Sequence, residues 1–270
     1  MKITFLGGGN IASALIGGML NTGFPVSDIS VIEIGADSRD HLERKFGVRC
    51  YAEVTSSAMN CDVLLLAVKP QQMREACTSL QKHLHQQLVI SIAAGLRLSD
   101  LSRWLGGHVK LVRAMPNTPA MIGCGVTGLF AMPAVSEAER LGTERVLQAV
   151  GSTLWVPDEA HIDAVTAISG SGPAYVFLFI EAMEQAAANL GFTSRQSRQL
   201  AIETVLGAAK LAAHSEEPAS VLRERVTSKA GTTEAALRIM GERGVKEGIV
   251  AGAMAAYTRS GEMGELLGKD

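Results

Sequence analysis

Lys2-Ile3-Thr4-Phe5-Leu6-Gly7-Gly8-Gly9-Asn10-Ile11-Ala12 decides how the rest of the chain is read. A short apolar run, Ile3, Phe5 and Leu6, enters a glycine cluster that opens at once into a helical pattern of Ile11, Leu15, Met19 and Leu20, closed by Gly23. Strand, glycine turn and helix in that order are the context in which such a spacing binds a dinucleotide. Gly7 permits the tight turn, Gly9 removes the Cβ that would block a pyrophosphate, and Ala12 lets helix and strand approach closely. The unpaired amides of the loop and helix start, at Gly8, Asn10 and Ile11, then point at the phosphates.

A chain of 270 residues can bury a substantial core and hold two domains. Its formal net charge of −2 and the lack of a long basic tract leave no footprint for nucleic acid or an anionic membrane. Met1 leads straight into the first strand, so the expectation is a cytoplasmic protein without an export signal. The longest apolar stretch, 164–180, carries Ser169-Gly170-Ser171-Gly172-Pro173 at its middle, which argues against a membrane span. Cys50, Cys61, Cys77 and Cys124 are scattered without ligand spacing, which predicts reduced thiols and no metal site.

Strand-like runs at 29–34, 48–51, 61–68, 88–92, 109–113, 126–131 and 151–156 alternate with helical patterns at 40–46, 71–84 and 136–150. That alternation predicts an α/β Rossmann-type domain with a doubly wound parallel sheet over 1–158. Glu33 falls where an acidic residue binds the ribose hydroxyls of NAD, whereas Ser38 and Arg39 suit a 2′-phosphate. NADPH and NADH therefore both stand as cofactors. Ligands in such sheets lie beyond the carboxyl ends of the strands, so Ala67, Val68, Lys69 and Pro70 should line the adenine and ribose side. Ala93, Ala94 and Gly95 are small enough to admit the nicotinamide ring to the backbone. In Met115-Pro116-Asn117-Thr118-Pro119, two prolines hold the Asn117 amide and Thr118 hydroxyl in fixed directions over the crevice.

From 159 to 270 the strand pattern gives way to alanine-rich helices at 161–168, 173–190, 194–213, 219–225, 233–243 and 245–260, with Ser194 as an N-cap and Gly191 and Gly244 as stops. The helix from Pro173 is apolar nearly all round, and a domain of this size offers little interior for it, so it should be buried against a second subunit. Two hydroxyl-dense glycine segments, Ser169 to Pro173 and Val226 to Thr233, precede helices and suit a carboxylate.

Six segments, FLGGGNIASALIGG, AVKPQ, SIAAG, RAMPNTPA, SGSGPAY and VTSKAGTTEAAL, give the chain a resemblance to the Δ1-pyrroline-5-carboxylate reductases across nearly its whole length. The resemblance implies reduction of the C=N bond of 1-pyrroline-5-carboxylate to L-proline by hydride from NAD(P)H. It further implies a homodimer, or an oligomer of dimers, whose helical domain serves dimerisation and substrate binding. Thr233 matches the threonine that faces the imine nitrogen. Ser171, Gly172, Gly231, Thr232, Glu216 and Asn117 match substrate-side positions. One departure is clear, since members usually carry proline and glycine where this chain has Lys229 and Ala230. A β-hydroxyacid dehydrogenase would need a lysine base on the helix after the second-domain glycine loop, and 175–188 has none. A non-catalytic nicotinamide sensor would have no use for the second carboxylate cradle.

Overall fold

The computed structural model describes residues 1–269. Strand and helix alternate from the start as β1 (Ile3–Leu6), α1 (Asn10–Asn21), β2 (Ile29–Ile32), α2 (Ala36–Phe46), β3 (Arg49–Tyr51) and β4 (Val63–Leu66). Next come α3 (Met73–Leu80), β5 (Leu88–Ser91), α4 (Leu98–Trp104), β6 (Leu111–Met115), β7 (Gly125–Ala131), α5 (Glu137–Leu147) and β8 (Gly151–Trp155). The eight strands form one sheet in the order β3-β2-β1-β4-β5-β6-β7-β8. Order reverses between β1 and β4, which puts the ligand crevice at their carboxyl ends.

Both faces of the sheet are covered. Ile3 and Phe5 join Val31, Leu65 and Ile90 under α1 and α5, while Leu6 joins Ile32, Leu64 and Leu66 under α3 and α4. Double-sided burial explains why these strands read as continuous apolar runs. The four cysteines are free. Burial pushes the Cys77 thiol up to about 12, so it stays protonated and unreactive at neutral pH.

The sheet departs from the all-parallel expectation at one place. β7 runs antiparallel to β6, with Arg113 opposite Phe130, and β8 is again parallel to β7. Only a short 3-10 turn, Thr118–Ile122, separates β6 from β7, and a return that short cannot make a parallel crossover. A helix unforeseen in the sequence, α4, occupies seven residues, with Leu98, Leu101 and Trp104 buried on one face. Its pattern is too brief to stand out between Gly95 and Gly106.

The chain divides into two compact units, Met1–Ser171 with the C-terminal segment from Ala256, and Gly172–Ala255. By this division the first unit runs past Asp158, because α6 (His161–Val165) packs on the sheet. A Cβ on Gly128 of β7 would lie 2.7 Å from a Val165 methyl. The second unit contains α7 (Gly172–Asn189), α8 (Ser194–Ala213), α9 (Ala219–Arg225), α10 (Thr232–Glu242) and the start of α11 (Val245–Leu267). Helix α11 continues past Ser260, and Thr193, not Ser194, caps α8 through a box with Gln196. Ser169 to Pro173 is not a loop. Residues Thr166–Gly170 form a π turn, closed by the Ser171 amide donating to the Thr166 carbonyl at 2.8 Å. Gly170 of that turn lies against Met115, whose methyl would be 2.8 Å from a Cβ there and would have to move aside. The run His161–Asn189 is therefore one helix, long and apolar enough by length and composition to cross a membrane.

Among the described residues of the second unit only Ser197 and Ala201 are buried. Phe177 and Leu178 of α7 are 65% and 66% exposed, and Ile249, Val250 and Met254 of α11 are also open. The unit has apolar faces and no interior of its own.

Two substitutions test the packing. Helix α1 crosses residues 149–150 so closely that a Cβ on Gly18 would lie 2.3 Å from the Ala149 carbonyl oxygen. Gly18→Ala is expected to cost about 1–3 kcal/mol, read as a lowered thermal midpoint. Ala230, between α9 and α10, is the one non-glycine residue with positive φ among the described residues, at 58°. Ala230→Gly should raise stability by about 0.5–1 kcal/mol in a denaturant titration.

Candidate active site

The turn after β1 is built on backbone contact. Gly7 has φ +99°, and a Cβ there would sit 3.0 Å from the Ala67 carbonyl and the Val68 amide beyond β4. Its amide donates to Ile32, and the Ala67 amide donates to Leu6, both at 2.8 Å. Gly9 is the N-cap of α1 and supplies no side-chain cap, so the first-turn amides of Asn10, Ile11 and Ala12 face an open end. A Cβ on Gly9 would meet nothing within 4 Å. Packing does not demand this glycine, and the free space is what an approaching pyrophosphate requires. Ala12 is fully buried against the sheet, as its place in the fingerprint predicts. A cleft of about 880 Å³, lined by Gly8, Gly9, Asn10, Ser13, Ser38 and Met121 among others, leads away from this helix start. Dinucleotide binding fits these residues.

Glu33, at the carboxyl end of β2, bridges two turns. Its carboxylate accepts from the Gly8 amide at 2.9 Å and the Gly35 amide at 2.8 Å, tying the turn after β1 to the turn after β2. Arg39 Nη1 donates to the carbonyls of Glu33 and Ile34, each at 2.8 Å, and so sets a cation over the end of β2. Lys69 is exposed where β4 ends, and Pro70 opens a 3-10 turn there. Ala93 is buried, Ala94 half-buried, and Gly95 has φ +79°.

Asn117 was expected over the crevice as a binding amide. Its Nδ2 instead donates to the Ser169 carbonyl and Oγ, both at 3.2 Å, and its Oδ1 accepts from the Val126 amide at 2.9 Å. The side chain braces the π turn against β7. The Ser171 amide is engaged inside the π turn.

In the second unit, Gly231 is the N-cap of α10 and again supplies no side-chain cap. Thr232 and Thr233 occupy the first turn, with Thr233 half-buried. The loop before them is held tightly. Gly231 donates to the Ser228 carbonyl at 3.0 Å, and a Cβ on it would strike Ser228 Oγ at 2.4 Å. The Glu234 carboxylate accepts from the Ala230 amide at 2.7 Å. Glu216 is exposed in the turn after α8, where its neighbour Glu217 pairs with Arg225.

A buried ion cluster escaped the sequence reading. Arg113, 2% exposed within β6, donates Nη2 to Asp163 at 2.9 Å and Nη1 to Glu159 at 3.3 Å. Ser260 Oγ donates to the same Asp163 oxygen at 2.9 Å, and the Leu98 amide to the same Glu159 oxygen at 2.7 Å. One signal was available: a lone cation inside the apolar strand Leu111-Val112-Arg113-Ala114-Met115 must find buried partners.

The chain is similar to several known proteins over nearly its whole length. Residues 159–263 match the model for pyrroline-5-carboxylate reductase dimerisation, and residues 2–95 match that for NADP oxidoreductase, coenzyme F420-dependent. The pyrroline-5-carboxylate reductase of Pseudomonas aeruginosa is 42% identical over 269 residues, covering 99% of this chain and 98% of the relative. A solved pyrroline-5-carboxylate reductase from Coxiella burnetii superposes with a TM-score of 0.92 at 39% identity, covering 97% of this chain and 98% of that one. The Plasmodium falciparum pyrroline carboxylate reductase, solved with NADP bound, gives 0.87 at 26% identity, covering 98% of each chain. By full-length identity, matched models and fold together, the chain belongs to the pyrroline-5-carboxylate reductase family.

Proposed function

We propose that this protein reduces the C=N bond of 1-pyrroline-5-carboxylate to give L-proline, using NADPH or NADH. Among the described residues three helices start on an N-cap glycine without a side-chain cap; at α2 the Gly35 amide is taken by Glu33, and the other two starts carry the reading. One is Gly9 at α1; the other is Gly231 at α10, followed by two threonines. Each presents unpaired amides to an anion. The first suits the pyrophosphate and the second the substrate carboxylate.

When bound, the reduced nicotinamide supplies the hydride that the imine carbon accepts. The protein's own task is orientation and charge, since a protonated imine is already electrophilic. The first-turn amides of Thr232 and Thr233 hold the carboxylate, the Gly231 amide being engaged by the Ser228 carbonyl. The Thr233 hydroxyl hydrogen-bonds the ring nitrogen as imine becomes amine. Ser171, Gly172 and the exposed Glu216 serve the substrate side, with Asn117 acting through the π turn it braces. Ala67 to Pro70 take the adenine and ribose side, and Ala93 to Gly95 take the nicotinamide. Arg39 at the end of β2 favours NADPH, because a guanidinium there faces the 2′-phosphate while the Glu33 carboxylate is engaged by amides.

Residues 159–270 act as the dimerisation and substrate-binding part, and 1–158 as the cofactor-binding part. The working form is a homodimer in the cytoplasm, alone or as an oligomer of dimers. The missing interior of the second unit supports the dimer, because its exposed phenylalanines and aliphatics need a partner surface.

Nicotinamide absorbance should fall when pyrroline-5-carboxylate is added with NADPH or NADH. Thr233→Ala should lower kcat about 10- to 100-fold, the effect of losing a positioned donor, with NADPH affinity retained. Absence of oxidation with either nucleotide would refute the activity. Light scattering should give at least twice the chain mass, and Phe177→Asp should dissociate or aggregate the protein; a well-folded active monomer would refute the dimer.

A further inference from the structure

The loop running from Ala93 to Arg97 leaves β5 and enters α4; one end is held by a carboxylate paired to a buried cation, and Gly95 lies against a helix tied to the same cation through a second carboxylate. At the α4 end, the Leu98 amide donates to the Glu159 oxygen that also takes Arg113 Nη1. At the other end, the Gly95 carbonyl meets helix α11 so closely that a Cβ on Gly264 would lie 2.9 Å from it. Ser260, one turn earlier on that helix, donates to the Asp163 oxygen that takes Arg113 Nη2. Arg113 thus joins β6 to Glu159, which holds the α4 end of the loop directly, and to Asp163, which reaches the loop only through Ser260 and helix α11.

A buried cation between two carboxylates is held by geometry as well as charge. The guanidinium fork reaches both acids at once, whereas a lysine ammonium is a single point that cannot span them in the same way. Loss of the cation would leave two acids without balance and release both anchors together.

We infer that Arg113 is a positioning residue for hydride transfer: through Glu159 and Asp163 it sets the Ala93 to Arg97 loop at the nicotinamide. This rests on the reading of that loop given under the proposed function. Arg113 itself touches neither substrate nor cofactor in this role.

The test compares Arg113→Lys and Ser260→Ala with the parent protein. Ser260→Ala removes one hydroxyl and keeps the helix, so it remains informative if the arginine variant folds poorly. Calorimetry measures affinity for NADP+ and for 2′,5′-ADP, which lacks the nicotinamide; hydrogen exchange of the free protein follows the amides of 94–98. Both variants should weaken NADP+ about tenfold, the size of one charge-assisted hydrogen bond, with 2′,5′-ADP changed less than about twofold and exchange at 94–98 accelerated. Equal loss for both ligands, or no change in either, would overturn the inference, because a merely structural role does not single out the nicotinamide. Ala94→Leu separates the two levels. If it weakens NADP+ selectively while Arg113→Lys and Ser260→Ala do not, the positioning role fails alone; if it leaves NADP+ affinity untouched, the reading of the loop fails and the inference with it.

Discussion

Backbone packed on backbone at Gly7 is the constraint from which the cofactor end of the molecule follows. With the turn after β1 lying 3.0 Å from where the Ala67 and Val68 backbone would meet any Cβ, no side chain fits there. That contact lets α1 start directly above the β1/β4 pair, the point where strand order reverses. It also aims the first-turn amides of α1 outward instead of into the sheet. Glu33 then locks the arrangement, since one carboxylate ties the turns after β1 and β2 together. Its two oxygens take the Gly8 and Gly35 amides, one from each turn.

Local, repetitive features were legible in the sequence. The glycine fingerprint, the apolar strands and the limits of α8 and α9 follow from spacing and punctuation that a single chain displays openly. What escaped was set by tertiary contact. The π turn is braced by Asn117 from a distant loop, and the antiparallel β7 follows from the shortness of the Thr118–Ile122 turn. Asn117 looked like a binding residue because loop amides often are; its actual partners, Ser169 and Val126, come together only through folding. The Arg113 cluster joins residues far apart in sequence, and no window read along the chain contains it. Ala230 shows the opposite case. Its resemblance-based oddity, alanine where glycine is usual, corresponds to a measurable backbone conformation at φ 58°.

The two units differ in how they achieve stability. The first has two cores, one on each face of the sheet, and buries large side chains completely. The second buries almost nothing within one chain, although α7, α10 and α11 carry many apolar side chains. Hydrophobic burial is the main favourable term in folding, so for this unit that term must come from association. Folding and assembly are then one process there, and its stability depends on protein concentration.

Helix α11 makes the two chain ends unequal. Met1 lies at the amino edge of the sheet, its ammonium 3.6 Å from Asp28 and far along β1 from the glycine turn. The final residues, by contrast, fold into working structure. Arg103 donates to the Gly268 carbonyl at 2.7 Å, and a Cβ on Gly268 would collide with the Asp100 carboxylate at 2.3 Å. Loss of the Arg103 and Asp100 contacts at Gly268 should therefore loosen the helix that backs the Gly95 carbonyl.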